Sequence, residues 1–479
     1  MGVTRLDTPR ACPERAERVE GGATRRDGAA PQVSTLRVAA IALLWAAVLT
    51  VLGLWKYAIF RADVDDGIFT QVLLSFGSGF STTAEGGVNH FLVHFSPMLL
   101  LLVPFVRWVG DARALIVAQA ILSALVIFPI YGIARRRTGE GWSLAIAGIA
   151  MLYPVLCAAA FTDFHENAFV PVLSATLVWA IDGGRYRAAA LAALALLCTK
   201  EDQFALLAME GLIIAMLWRT DRARVRFGLA TACAGGLFAA LYFFVLRPSF
   251  HLDVPYFPLH FYDWSYVGSA PLGYAPILSP LRPLYLFWAF APLAAIALRS
   301  RFAWVLLPGF IEALASHQAI TLSLGTEYVA PWLGFMLAAF ADGAATLPLA
   351  RSSAARAWLA AAAAFCVLTL AYNDPMARWY YLYRLPNAHD ALLESTLRAL
   401  PRGSSIGAED KIFAHLAYRR RASLGPNGQR YFIYDRTQSA AQWRNVDRPK
   451  VRALLQAGHY RVLSERDGIV VLKRRSGAL

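Results

Sequence analysis

The chain has 479 residues, 57% of them hydrophobic and 16% charged, with a formal net charge of +14. A soluble protein carries about a quarter charged residues, and the apolar residues here come in blocks of about 20, the length that crosses a bilayer, so a soluble globular chain is excluded. The arginines lie in short loops between apolar runs, which is the bias of cytoplasmic loops and not a nucleic-acid-binding face; no nucleic-acid partner is expected.

The first 35 residues are polar and arginine-rich and read as a disordered cytoplasmic tail. The run Leu36 to Phe60 follows as an uncleaved first span, with Trp55 and Tyr57 as interface anchors near its outer end. Directly behind it stands Arg61-Ala-Asp-Val-Asp-Asp-Gly-Ile-Phe-Thr-Gln71, whose three acids in four residues belong in water. The next apolar run, Phe91 to Val106, decides the topology. If it crossed the bilayer, Arg135-Arg-Arg137 would lie outside. The run is short and begins with His90, His94 and Pro97, so it is expected to lie along the outer surface or to re-enter.

With that choice the remaining runs alternate consistently. Spans are expected at 112–134, 143–160, 167–181, 188–199, 204–218, 227–246, 283–298, 302–320, 328–347 and 357–372. The transmembrane domain, residues 36–372, then holds about eleven helices, with a first outer loop at 61–111 and a long outer loop at 247–282. Every arginine cluster falls inside, and Asp163-Phe-His-Glu166, Lys200-Glu-Asp202 and Glu327-Tyr328 fall outside with the first acidic loop. The last segment, 373–479, is polar and carries short alternating runs such as Ser405-Ile-Gly-Ala, Tyr431-Phe-Ile-Tyr, Tyr460-Arg-Val-Leu and Ile469-Val-Val-Leu. Arg466-Asp-Gly468 between the last two is a hairpin signal, and helical patterns occupy 391–400 and 449–457. The fold class is an all-α polytopic membrane domain with a small C-terminal extracytoplasmic α/β domain.

The outer polar residues have two readings each. Asp63, Asp65 and Asp66 either cap the helix that starts near Ile68 or supply a general base or metal-holding carboxylates in a membrane-mouth cleft. His90 and His94 have a zinc-ligand spacing on one helix face but no third soft ligand nearby. Asp163, His165 and Glu166, and likewise Lys200, Glu201 and Asp202, either end their helices at the interface or form part of a site. Lys200 is the local cation best suited to a phosphate. Glu327 and Tyr328 stand at the mouth of a span in the same way. The long loop adds His251, Asp253, His260, Tyr262, Asp263, Trp264 and Tyr266, a mixture that suits a sugar or a membrane interface equally. The cysteines Cys12, Cys157, Cys198, Cys233 and Cys366 are scattered, with neither metal spacing nor a disulfide framework.

Asp65-Asp-Gly-Ile-Phe-Thr-Gln71, His94-Phe-Ser-Pro97, Asp163-Phe-His-Glu166 and Lys200-Glu-Asp202, with Gly407-Ala-Glu-Asp410 and His415-Leu-Ala-Tyr-Arg419 in the tail, occur in an order that resembles the membrane family called domain of unknown function 2079. That family is similar to a distant branch of the C-type glycosyltransferases, which use lipid-phosphate sugar donors and place an essential acid in the first outer loop, followed by a surface-lying segment. The resemblance implies a membrane-embedded transferase with a polyprenyl-phosphate-linked sugar donor and an unknown acceptor at the outer face of the plasma membrane. It implies Asp65 as the loop acid. Asp66 and Glu166 complete the expected catalytic set. Asp63, His90, His94, Asp163, His165, Lys200, Glu201, Asp202, Glu327 and Tyr328 are expected to bind substrate. No cofactor is implied with certainty; a divalent metal ion stays open. This chain departs from the family pattern with Asp66 in place of an apolar residue and His165 where proline often precedes the glutamate. The alternatives are a non-catalytic membrane protein with a partner-binding outer domain, and a lipid or solute transporter.

Overall fold

The computed structural model describes residues 30–249, 261–262, 273–372, 384–437 and 443–475. The expected cytoplasmic tail up to residue 29 and most of the long outer loop, including His251, Asp253, His260, Asp263, Trp264 and Tyr266, lie outside the described residues. The chain opens with α1 (Ala30–Ala58), whose apolar side chains suit hydrocarbon all round, and turns into α2 (Val64–Leu74). A 3-10 segment, Pro97–Leu102, leads into α3 (Val103–Val109). Then come α4 (Arg113–Leu125), α5 (Ile127–Arg135), α6 (Glu140–Met151) and α7 (Pro154–Phe161). The bundle continues with α8 (Val170–Asp182), α9 (Tyr186–Leu197), α10 (Asp202–Leu217), α11 (Arg222–Leu241) and α12 (Arg247–Ser249). It closes with α13 (Leu281–Phe290), α14 (Leu307–Ala315), α15 (Ala330–Ala345) and α16 (Ser353–Tyr372).

Among the described residues, five continuous helical stretches are long and apolar enough to cross a membrane: Thr35–Ala58, Arg113–Arg135, Arg222–Ser249, Glu327–Ala345 and Ser353–Tyr372. A sixth is the pair α6 and α7, bent by 50° where Pro154 removes a backbone donor. The remaining expected spans of the eleven are shorter helices. The expectations at 167–181 and 188–199 become α8 and α9, of 13 and 12 residues. That at 204–218 becomes α10 with 16, and those at 283–298 and 302–320 become α13 with 10 and α14 with 9. Proline accounts for part of the shortening: Pro292 and Pro308 sit in the first turns of the pieces that follow these breaks. Residues 91–106 form no continuous span; their apolar helix is Pro97–Val109, with Leu101 and Trp108 on its exposed side.

Helix α15 is the axis of the bundle: all of its residues are buried. Small residues let its neighbours come close. A Cβ on Gly334 would overlap the Pro171 carbonyl and the Ser174 hydroxyl of α8, so only glycine fits that contact. The same device joins α10 and α11, where a Cβ on Gly211, Gly228 or Gly235 would lie 2.5–2.6 Å from the facing backbone.

The C-terminal unit begins with α17 (Ala388–Ala399), started by Asn387, whose side chain accepts from Asp390 N while Asp390 caps Asn387 in return. Strand β1 (Ile406–Ala408), α18 (Asp410–Leu416), β2 (Ala422–Leu424), β3 (Tyr431–Asp435), α19 (Arg448–Gln456), β4 (Tyr460–Arg466) and β5 (Ile469–Arg474) follow. The sheet order is β2-β1-β3-β5-β4, parallel across β1 and antiparallel beyond β3. Asp467 and Gly468, both at positive φ, make the tight turn of the last hairpin. This α/β unit packs on the first outer loop. His415 of α18 is stacked between Tyr57 and Phe60 at 3.9 Å from each ring, and Gln71 and Thr83 both donate to the Ala422 carbonyl.

Candidate active site

The three adjacent acids of the first outer loop point three ways. Asp63 caps α2 by accepting from Val64 N at 3.0 Å, and its other oxygen meets Lys411 of α18 at 2.6 Å. Burial pushes the Asp63 carboxyl up, but Lys411 outweighs it and holds the group below its ordinary range. Asp66, on the inner face of α2, is buried and accepts from Phe164 N at 3.0 Å. Burial lifts its pKa to about 6 against the pull of Lys56. Lys56 in turn pairs with Asp163 at 2.8 Å. Asp63, Asp66 and Asp163 therefore tie the outer loop to the bundle and to the α/β unit, and none of them lines the central cavity. Asp65 alone of the run faces that cavity, with its side chain 34% exposed.

The cavity encloses about 1860 Å³ of open space, and its polar wall gathers Asp65, His165, Lys200, Asp202, Glu327 and Tyr328. Behind the wall runs a chain of charge. His165 Nε2 is 3.7 Å from Asp65, its Nδ1 is 3.0 Å from Glu166, and the other Glu166 oxygen is 3.0 Å from Lys200 Nζ. The Glu166 contacts are close ion contacts whose angles fall short of hydrogen-bond geometry. Glu166 is fully buried and sits outside the lining. Burial pushes its pKa up, yet Lys200 and His165 reverse the effect and hold it well below the carboxylate range. Burial lowers and the carboxylates more than restore the other two: His165 is held well above an ordinary imidazole by Glu166 and Asp65, and Lys200 well above an ordinary amine by Glu166. Phe69 braces the His165 ring edge-on, with centroids 5.1 Å apart.

Glu201 does a different job. One oxygen accepts from His94 Nδ1 and the other from Phe95 N, both at 2.8 Å, which fastens the surface segment to the start of α10. Burial opposes the charge on His94, and Glu201 outweighs it, so the ring stays protonated above its usual range. His90 is buried and contacts Glu85 at 3.0 Å. The two histidines thus answer to separate carboxylates. Among the described residues, no group of three or more His, Cys, Asp or Glu side chains is placed to hold a metal ion.

Of the thirteen outer residues expected in the site, the cavity takes only part. Asp65, His90, His94, His165, Lys200, Glu201, Asp202, Glu327 and Tyr328 line it; Asp63, Asp66, Asp163 and Glu166 do not. The lining also takes in Tyr262 of the long loop, and Glu85, Asn167 and Glu312, which went unnoticed as site residues. Only Glu312 gave a signal, as an acid inside an apolar run. At the opposite pole of the bundle, Asp182 at the end of α8 collects Arg136, Arg137 and Arg301 at 2.9, 2.9 and 3.2 Å. Charged ends of opposite character thus bound the same helices.

No curated protein matches this sequence. Two solved structures share the fold: the crystal structure of ArnT from Cupriavidus metallidurans bound to undecaprenyl phosphate, and that of the same protein in the apo state. The first has a TM-score of 0.56 at 14% identity over 91% of this chain and 98% of that one. The second has a TM-score of 0.50 at 13% identity over 92% and 98%. Residues 56–471 match the family described as "Predicted membrane protein (DUF2079)", and the chain belongs to that family.

Proposed function

We propose that the protein transfers a sugar from a polyprenyl-phosphate donor to an acceptor hydroxyl at the outer face of the plasma membrane. The observation that carries this reading is the placing of Asp65 and Lys200 on one cavity wall, joined through His165 and Glu166 by contacts of 3.0–3.7 Å. The fold shared with a protein crystallised with undecaprenyl phosphate adds support. The arginine pole around Asp182 suits the cytoplasm and so supports an orientation with the N-terminus inside and the α/β unit outside.

In the proposed reaction the acceptor hydroxyl oxygen attacks the anomeric carbon and gives its proton to Asp65. The bond from that carbon to the phosphate oxygen breaks, and the lipid phosphate leaves with the electron pair. Lys200, in ion contact with Glu166, opposes the charge that develops on the departing phosphate. His165, 3.7 Å from Asp65 and 3.0 Å from Glu166, holds the Asp65 carboxylate in place at the cavity wall. Glu327 and Tyr328 offer an acceptor and a hydroxyl to the sugar.

The test is transfer from a panel of radiolabelled polyprenyl-phosphate sugars in membranes that contain the protein. Asp65→Asn abolishes transfer while its expression and melting temperature stay those of wild type. Equal activity of Asp65→Asn and wild type removes Asp65 from the mechanism. No transfer from any donor by wild type leaves the partner-binding alternative.

A further inference from the structure

A second pocket lies on the lipid side of the surface segment. Phe91, Leu92 and Phe95 form one wall and Tyr242, Leu246 and Arg247 the other, around about 480 Å³. It is separate from the central cavity but shares its partition, since His90, His94 and Phe243 face the cavity from the same stretches of chain. Three features of the far wall bear on what fits there. The backbone of Tyr242–Leu246 widens into a π turn, a form that recurs at binding sites. Tyr242 is 3% exposed, yet its hydroxyl has no hydrogen-bond partner among the described residues. A buried hydroxyl left unpaired is unfavourable, so an occupant that pairs it is favoured. The ring itself is fixed by Phe95 and Phe204, with centroids 5.6 and 5.9 Å away. The neighbouring Phe244 and Val245 are 81% and 56% exposed, as suits a surface facing hydrocarbon.

We propose that this slot is a second lipid site, which holds the phosphate of a polyprenyl monophosphate between the Tyr242 hydroxyl and the Arg247 guanidinium and its chain along Phe91, Leu92 and Phe95. A guanidinium and a hydroxyl donor match a doubly charged phosphate ester, and the apolar walls match a hydrocarbon chain. The naming of a polyprenyl chain rests on the transferase reading of the neighbouring cavity. In that reading the lipid phosphate must leave sideways into the bilayer, and the slot lies one wall away. The step is binding alone, with no bond made or broken.

The test is native mass spectrometry of the full-length protein in detergent, titrated with undecaprenyl phosphate and, separately, with phosphatidylglycerol. Wild type takes up two undecaprenyl phosphates. Arg247→Gln loses one of them, and Tyr242→Phe weakens one by about tenfold, the loss of one hydrogen bond to a charged group. Lys200→Gln keeps the slot lipid. A melting curve for each variant guards against misfolding, and the isosteric Tyr242→Phe carries the test if Arg247→Gln does not fold. A single site in wild type, two sites in Arg247→Gln, or equal occupancy by phosphatidylglycerol overturns the proposal. Two lipids bound by a protein that transfers no sugar would leave the slot standing and remove the transferase reading instead.

Discussion

Glu166→Gln keeps the shape of the side chain and removes one charge that two cations share. Glu166 is 0% exposed, with Lys200 and His165 each 3.0 Å from it. Breaking a buried pair by removing one partner costs about 3–5 kcal/mol, because the remaining charge stays out of water uncompensated. At roughly 2.1 cal/mol/K of unfolding entropy per residue, a chain of 479 residues loses about 3–5 °C of Tm. The sign with pH follows from the depressed carboxyl. Its contribution is present above the pKa of an unfolded glutamate, about 4.3, and fades as pH falls through the lower folded value. The carboxyl's own titration therefore adds no slope between pH 8 and pH 5 to the melting difference between wild type and Glu166→Gln in lipid nanodiscs. That difference widens as pH falls through the imidazole range, where Glu166 keeps His165 charged. The double variant Glu166→Gln/Lys200→Met recovers part of the loss, since the orphaned amine is gone. A Glu166→Gln protein that melts with wild type, or a double variant that is additive, would show that the two groups do not depend on each other.

Three further outcomes follow from the same reasoning. Asp66→Asn raises Tm at pH 8 by relieving a charge whose pKa burial lifts to about 6, a penalty of order 3 kcal/mol, while Asn still accepts from Phe164 N; stability of the wild type falls as pH rises from about 4 to 6, and a variant less stable at pH 8 would mean that the carboxylate supports Lys56. Burial between two rings pushes the His415 imidazole down to about 3, so the unfolded chain binds the extra proton below about 6.5 and docking of the α/β unit weakens by about 2 kcal/mol at pH 5. Hydrogen exchange in 410–416 should quicken on acidification in wild type and not in His415→Phe; identical profiles refute the stacking account. Gly334→Leu forces α15 away from α8 and costs about 1–3 kcal/mol, read as lower Tm, whereas an unchanged Tm would mean that the helices separate freely.

Much of the outer face was legible from charge alone. Acids that cannot rest in hydrocarbon had to share a side once 91–106 was read as too short to cross, and those residues do fold as short 3-10 and helical pieces. The strands at 431 and 469 and the turn at Asp467-Gly468 followed from alternation and turn chemistry. What stayed hidden depends on partners far away in the chain. Nothing local distinguishes Asp63, Asp65 and Asp66; their roles are set by Lys411, by the cavity and by the Phe164 amide, hundreds or tens of residues distant. Strand β2 and helix α18 are short and take their order from the sheet and from the ring pocket of Tyr57 and Phe60. The helices expected at 283–298 and 302–320 were overestimated because hydropathy does not register where a proline ends a ladder of hydrogen bonds.

The divergence of those neighbouring acids gives α2 the character of a lever. Its first turn is gripped at Asp63 by the α/β unit, while Asp65, two residues on, reaches the cavity. A rigid turn transmits displacement, and a misplacement of about 1 Å at a reacting group can cost about a hundredfold in rate. Whatever tugs on Lys411 from outside the membrane therefore retunes the carboxylate within.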